Sequence, residues 1–286
     1  MNDVHRLAAF SADPGGGNPA GVVPDARGLS DRDMLQIAAD VGYSETAFLV
    51  DAGNGSYDVR YFSPLAEVPF CGHATIASGV LLGPGEWLFA TRSGDVAVDV
   101  SRQDDGLVTA TLTSVSPHID DIADDDLAEL LAALGWAVGD LDPTMPPRVA
   151  YAGAYHPILA ARDRDRLSRL DYDVGRLRTL MLDRDWTTID LVWRETDRVF
   201  HARNPFPVGG VYEDPATGAA GAAFGAYLRA LGLVQLPVTV TIHQGGEMGR
   251  PSTLLVELRA DDERVRVSGT AVHIPRGDDW RPQRQP

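Results

Sequence analysis

Two segments of this chain, CGHATIASGVLLG at 71–83 and TGAAGAAFGAYLRALG at 217–232, are built from glycine, alanine and other small or apolar residues on every side. A helix without a polar face is not a surface helix, so both segments are expected to be enclosed, with sheet as the enclosing element. Each follows a proline-containing loop, VPF or EDPA, and each opens with a residue-glycine pair, Cys71-Gly72 and Thr217-Gly218. The chain therefore reads as an internal pseudo-repeat.

The remaining segments supply the sheet. Alternating apolar runs at 46–50, 57–62, 86–92, 95–100 and 107–113, separated by Gly, Pro, Asn or Asp, predict strands. An exposed helix near 31–41 interrupts them, opened by the pair Ser30 and Asp33 and closed by Gly42. A proline break near Ser116 marks the boundary between halves, followed by an acidic first turn and leucines at helical spacing that end at Gly135. Beyond it the pattern predicts strands near 148–161 and 187–193, a helix near 174–183, and strands at 237–243, 253–259 and 264–274.

At 286 residues with 44% hydrophobic content the chain can bury a large core or two medium ones. Its net charge of -16 disfavours nucleic acid and anionic membrane as partners. No basic segment leads into an apolar run at the N-terminus and no run of 18 apolar residues occurs, so a cytoplasmic protein is expected. All 25 basic residues are arginine. Without lysine there is no Schiff base, no lysine general base and no P-loop lysine. The single cysteine, Cys71, excludes any two-thiol mechanism within one chain.

Several motif matches fail on context. Gly15-Gly16-Gly17-Asn18-Pro19-Ala20 fits a dinucleotide fingerprint, but Pro19 and Pro24 prevent the helix it requires. Gly42-Tyr43-Ser44-Glu45-Thr46 lacks the final glycine of a serine-hydrolase elbow. The seven histidines show no metal-ligand spacing. No cofactor and no metal are expected.

Carboxylates, histidines and backbone dipoles remain as the chemical resources. Gly72 and Gly218, at the start of the two enclosed helices, let a ligand approach free backbone N–H groups where the helix dipole favours an anion. Glycine at these positions also suits close packing alone. What favours a site is that His73 follows Gly72 directly and Asp214 lies just ahead of Thr217, so each helix start carries a polar side chain suited to proton transfer. Glu45 lies where a loop enters an apolar strand, a place where desolvation raises a carboxyl pKa, although a strand-edge glutamate is usually solvated.

The segments GGGNPAGVV (15–23), GYSETAFLV (42–50), RYFSPLAEVPFCGHATIASG (60–79), EDPATGAAGAAFGAYL (213–228) and QGGEMGRPSTLLVEL (244–258) resemble the PhzF-like phenazine-biosynthesis family, in its order and at its spacing as far as VSGTAVHI (267–274). The resemblance implies an α+β fold similar to diaminopimelate epimerase. Two pseudo-symmetric halves, here 1–116 and 117–261, each wrap a mostly antiparallel curved sheet around a central helix, with the active site in the cleft between them. The C-terminal strand, about 262–286, is expected to pack back onto the first half. The resemblance also implies a homodimer.

By the same resemblance Glu45 is the catalytic acid/base that carries a proton between two carbons of one substrate, and His73 and Asp214 orient it and the substrate. Backbone around Gly72 and Gly218 would receive the substrate carboxylate. Asn18, in G-N-P-A-G, matches a motif near the site, though asparagine there also suits a turn cap. Cys71, Thr217 and Ala219 complete the expected substrate-binding set. Phenazine-pathway members usually carry serine at the position of Ala219, which puts their hydroxyanthranilate precursor in doubt as the substrate here. Cys71 matches one of the two catalytic thiols of the related epimerases, but Thr217 takes the place of the other, and Cys71 is read first as a small buried hydrophobe. Tyr155, Phe206 and Trp193 are candidate pocket walls. Three functions stay open: an isomerase with Glu45 as single shuttle; an epimerase pairing Glu45 with Cys71 or Asp214; and a non-catalytic small-molecule-binding protein.

Overall fold

The computed structural model describes residues 3–275. The first half opens with β1 (His5–Ala9) and β2 (Asn18–Val23). Alternation did not signal β2, because all six of its residues are buried and a strand covered on both faces has no polar side to alternate with. Helix α1 (Asp31–Val41) carries the expected capping box, Ser30 with Asp33, and ends on left-handed Gly42 at φ 73°. Strands β3 (Glu45–Gly53), β4 (Ser56–Phe62) and the short β5 (Glu67–Val68) lead to the enclosed helix α2 (Gly72–Leu82), followed by β6 (Gly85–Thr91), β7 (Gly94–Arg102) and β8 (Val108–Thr113).

The second half begins with β9 (His118–Asp121) and α3 (Asp124–Leu134), which ends on left-handed Gly135. The stretch expected as strand at 148–161 is a hairpin, β10 (Arg148–Tyr151) and β11 (Tyr155–Ala160). Helices α4 (Arg164–Ser168) and α5 (Val174–Arg184) precede β12 (Asp190–Arg194), β13 (Val199–Pro205) and β14 (Glu213–Asp214). The second enclosed helix, α6 (Gly218–Ala230), is followed by β15 (Val238–Gln244), β16 (Ser252–Leu258) and β17 (Val265–His273). Residues 276–286 of the expected C-terminal strand lie outside the described residues.

The pseudo-repeat is visible in strand pairing. In the first half β1–β2 is antiparallel, β2–β3 parallel, β3–β4 antiparallel, β4–β6 parallel, and β6–β7 and β7–β8 antiparallel. The pairs β10–β11, β11–β12, β12–β13, β13–β15, β15–β16 and β16–β17 repeat that order of directions. Strand β17 also pairs with β1 and β8, so it closes the first sheet around α2 while belonging to the second. This is the α+β, mostly antiparallel architecture of two curved sheets, each around a central helix. The register carries a correspondence as well. Ala20 faces Glu45 across β2–β3, and Ile158 faces Asp190 across β11–β12, so Asp190 stands in the second half where Glu45 stands in the first.

Close wrapping explains why the enclosed helices are glycine-rich. A Cβ added at Gly79 would lie 2.9 Å from Val98 Cγ1, and one at Gly225 would lie 2.7 Å from Val256 Cγ1. Any larger residue at either place forces the sheet outward, at roughly 1–3 kcal/mol for an overpacked core. Both helices share one core cluster, which includes Ile76 of α2 and Phe224 and Tyr227 of α6, whereas α3 and α5 cover a second cluster on the outside of the second sheet. No helix among the described residues is long and apolar enough to cross a membrane.

Candidate active site

The two enclosed helices meet at their N-termini. A Cβ on Gly72 would lie 3.3 Å from Ala219 N and 3.3 Å from Gly218 Cα, so glycine at 72 is what lets the helices approach. Neither N-cap residue, Cys71 or Thr217, turns its side chain back onto its own helix, and the first-turn N–H groups have no intrahelical acceptors. Two positive helix ends held this close favour a negative group between them. A cavity of about 230 Å³ opens there. Cys71, Gly72 and His73 line it from one helix, Thr217, Gly218 and Ala219 from the other, and Glu45 and Asp214 add a carboxyl from each half.

Glu45 is the first residue of β3 and only 8% exposed. Burial pushes its pKa above the ordinary carboxylate range, against hydrogen bonds from Ser44 and Cys71 that favour the charged form. The Cys71 thiol lies 3.6 Å from Glu45 Oε2. Burial first, and the neighbouring Glu45 charge second, push the thiol pKa well up, so Cys71 is a protonated donor and not a thiolate. His73 Nε2 lies 3.4 Å from the same Glu45 oxygen. Burial lowers the His73 pKa to about 3, so this contact joins a neutral imidazole to the carboxylate and is not an ion pair.

Asn18 fixes the tautomer. Its Nδ2 lies 3.1 Å from His73 Nδ1, 2.8 Å from Asp214 Oδ1 and 3.0 Å from Ala216 O. The two amide hydrogens go to Asp214 Oδ1 and Ala216 O, and the amide nitrogen has no lone pair to accept with, so a hydrogen on His73 Nδ1 would have no acceptor there and the ring hydrogen sits on Nε2, facing Glu45. Asn18 is not among the residues that line the cavity. It is 1% exposed behind the wall, where β2 brings it against α2 and β14, and there it contacts both His73 and Asp214.

Asp214 ends β14, which the buried Arg203–Glu213 pair ties down through Nε–Oε1 at 2.9 Å and Nη2–Oε2 at 2.5 Å. Burial, and then the Glu45 charge, raise the Asp214 pKa to about 7, opposed by donors from Thr217 and Asn18. Thr217 Oγ1 donates to Asp214 Oδ2 at 2.6 Å. Gln244 braces this corner: its Nε2 donates to Asp214 O at 2.8 Å, and its Oε1 accepts from Thr217 N at 3.1 Å.

Gln244, Ser44, His156 and Thr188 escaped the sequence reading as site residues. Gln244 and Ser44 stand inside the quoted motifs, which is the signal that could have found them. His156 and Thr188, both in the cavity lining, stand in segments with no motif. Phe206 lines the cavity, whereas Tyr155 packs against Tyr151 and Trp193 against His201, and neither lines it. Glu45, Cys71 and His73 also bring three potential metal-ligand atoms within 4.8 Å of one another. This clustering was invisible to spacing rules. Burial favours the thiol over the thiolate that would ligate a cation, so the trio is held as a hydrogen-bonded cluster.

A family model described as phenazine biosynthesis-like protein matches residues 7–277. Among curated relatives, the trans-2,3-dihydro-3-hydroxyanthranilate isomerase of Pseudomonas fluorescens is 32% identical over 97% of this chain and 99% of its own. An uncharacterized isomerase of Bacillus subtilis (strain 168) is 30% identical over 95% and 96%. Among solved structures, the Bacillus anthracis phenazine biosynthesis protein of the PhzF family superposes with a TM-score of 0.85 at 26% identity, covering 95% of this chain and 96% of that one. A probable proline racemase from Agrobacterium radiobacter K84, at 12% identity and a TM-score of 0.65 over 94% and 90%, shares the fold. With two helix N-termini abutting, a buried glutamate beside them and these likenesses along its whole length, the chain belongs to the phenazine biosynthesis-like protein family, a family of isomerases and epimerases.

Proposed function

We propose that this protein moves a proton between two carbons of a small carboxylate-bearing substrate, with Glu45 as the acid/base and without a cofactor or metal. The observation that carries the proposal is the place of the Glu45 carboxyl, buried and shifted upward, in a cavity whose backbone donors come from two abutting helix N-termini. Those N-termini hold the substrate carboxylate and stabilise negative charge that spreads onto it when a nearby C–H bond breaks. Ionised Glu45 takes the proton from one carbon, the C–H electron pair moves into the adjoining unsaturated system, and neutral Glu45 returns the proton to another carbon. Substrate and product contain the same atoms. His73 Nε2–H orients Glu45, and Asp214 offers a polar contact to the substrate from the other half.

One observation favours a second reading, inversion at a single carbon. Asp214 is a second cavity carboxyl with a raised pKa, contributed by the opposite half. Cys71 is less suited to be the second base, because it lies beside Glu45.

The substrate class is a small amino-acid-like or cyclohexadiene-like acid. The relative from Pseudomonas fluorescens is named for trans-2,3-dihydro-3-hydroxyanthranilate. In this chain Ala219 lines the cavity where the resemblance leads one to expect a serine hydroxyl, which argues for a different acid. The test is a screen of that compound and of amino acids in deuterated water, followed by proton NMR. A single shuttle retains some substrate hydrogen in the product, whereas two-base inversion brings in solvent deuterium at nearly every turnover. Exchange that persists undiminished in Glu45→Gln would refute the assignment. The proposed homodimer is tested by light scattering on the eluted protein.

A further inference from the structure

The cavity has a second polar wall that the proton shuttle does not use. His156 and Thr188 line it from the second half, and His156 is fully buried at 0% exposure. Its Nε2 has no hydrogen-bond partner within the protein. A buried ring nitrogen left open has lost its water without a replacement bond, a cost that a hydrogen-bond donor on a ligand would recover.

The other ring nitrogen shows which form the open one takes. His156 Nδ1 lies 2.9 Å from Thr188 Oγ1, Thr188 Oγ1 donates to Asn204 Oδ1 at 2.7 Å, and Asn204 Nδ2 donates to Asp190 Oδ1 at 3.0 Å. The chain of bonds is anchored at Asp190, whose carboxyl pKa burial raises to about 7; at pH 8 it is ionised and only accepts. Asn204 must then turn its NH2 to Asp190 and its oxygen to Thr188. Thr188 has one hydrogen and gives it to Asn204, so it accepts from His156, and Nδ1 carries the ring hydrogen. Burial lowers the His156 pKa to about 4, so the ring is neutral near pH 7. Nε2 is left as a lone pair. Asp190 is also the residue that register places where Glu45 stands in the first half, so the second half has turned its equivalent carboxyl into the anchor of a binding wall.

We infer that His156 Nε2 is a hydrogen-bond acceptor for the substrate, selecting acids that carry a hydroxyl or amino donor in addition to the carboxylate held by the helix N-termini. This deepens the function proposed above and rests on its carboxylate site. A site built to accept such a bond discriminates against an analogue without it, because the buried nitrogen is otherwise left unpaired.

The test uses the full chain at pH 8 with benzoate, the hydroxybenzoates, the aminobenzoates and the methoxybenzoates as probes, followed by calorimetry. At least one hydroxy or amino isomer is expected to bind about tenfold more tightly than benzoate, and no methoxy isomer to share the gain. In His156→Phe the advantage falls to within about twofold while benzoate affinity is kept. No donor-bearing isomer exceeding benzoate in the wild type, or an advantage that survives in His156→Phe, overturns the inference. Nitrogen-15 NMR of the unliganded wild type checks it without any ligand or variant: the Nδ1–H tautomer of His156 supports it, and the Nε2–H tautomer overturns it. If no benzoate binds at all, the carboxylate site proposed above fails and the donor-bearing acids named here fail with it, whereas the histidine spectrum still decides the acceptor.

Discussion

Asn18 Nδ2 donates to Asp214 Oδ1 at 2.8 Å, joining two residues 196 positions apart and with them the two sides of the candidate site. The same nitrogen faces His73 Nδ1, so one amide sets both the acid on one side of the cavity and the imidazole on the other. Asn18→Ala leaves two buried acceptors, Asp214 Oδ1 and Ala216 O, without their donor, and a loss of roughly 2–4 kcal/mol is expected in chemical denaturation. Asn18→Asp replaces the donor by a third carboxyl beside Asp214. It should be more destabilising at pH 8 than at pH 5, since Asp214 ionises at about pH 7. Equal losses at the two pH values would show that Asp214 does not feel position 18.

Glu45→Gln keeps the shape of the side chain and loses the proton chemistry. Turnover and solvent exchange should fall by about 10³-fold or more, with ligand affinity within about tenfold of wild type, as isotope exchange and calorimetry would show. The acid limb of kcat/KM should lie above the ordinary glutamate value of 4.5, because burial raises the pKa of the base that must be ionised. A limb at or below that value would exclude Glu45 as the titrating base.

Ala219→Ser places a hydroxyl at the N-terminus of α6, in the cavity lining. Anthranilate and related acids should bind about tenfold more tightly, the order of one added hydrogen bond to a charged group. No gain in calorimetry would mean that the pocket differs from its phenazine-pathway relatives in more than this contact.

Asp190→Asn should stabilise the protein at alkaline pH. Burial raises the Asp190 pKa from 3.8 to about 7. The folded state therefore binds this proton more tightly than the unfolded chain, and the resulting stability is complete below the unfolded value and lost as pH rises through 7. Removing the titration should add roughly 1–4 kcal/mol at pH 8 and little at pH 4, read from denaturation midpoints. Asp214 titrates in the same window, so part of the wild-type slope should remain.

Cys71→Ser should retain activity within about tenfold, since a protonated thiol acts here as a weak donor that a hydroxyl can replace. Prolonged incubation with EDTA should leave turnover unchanged. Activity lost to the chelator and restored by zinc would instead make Glu45, Cys71 and His73 a ligand set.

The enclosed helices α2 and α6 were legible from sequence because the property that encloses them, small residues on every face, is local and needs no partner to be recognised. The same holds for α1, whose cap pair Ser30 and Asp33 and closing Gly42 lie within thirteen residues of one another. Glu45, His73 and Asp214, which the fold brings to one cavity, each stand in a motif visible in the sequence. Strand β2 was not, because burial on both faces erases alternation, and with it went the true place of Asn18.

What the sequence determined by itself is the pair of glycine-led helices and the chemical inventory left when lysine and a second thiol are missing. Tertiary structure alone decided that the helix N-termini abut, that Asn18 stands behind the wall and sets the tautomer of His73, and that His156, with an unpartnered Nε2, lines the same cavity. The physical reason is that helix formation depends on neighbours within a few residues. Burial, pKa and tautomer depend on which groups the sheets bring together across up to two hundred positions, and no local pattern encodes that distance.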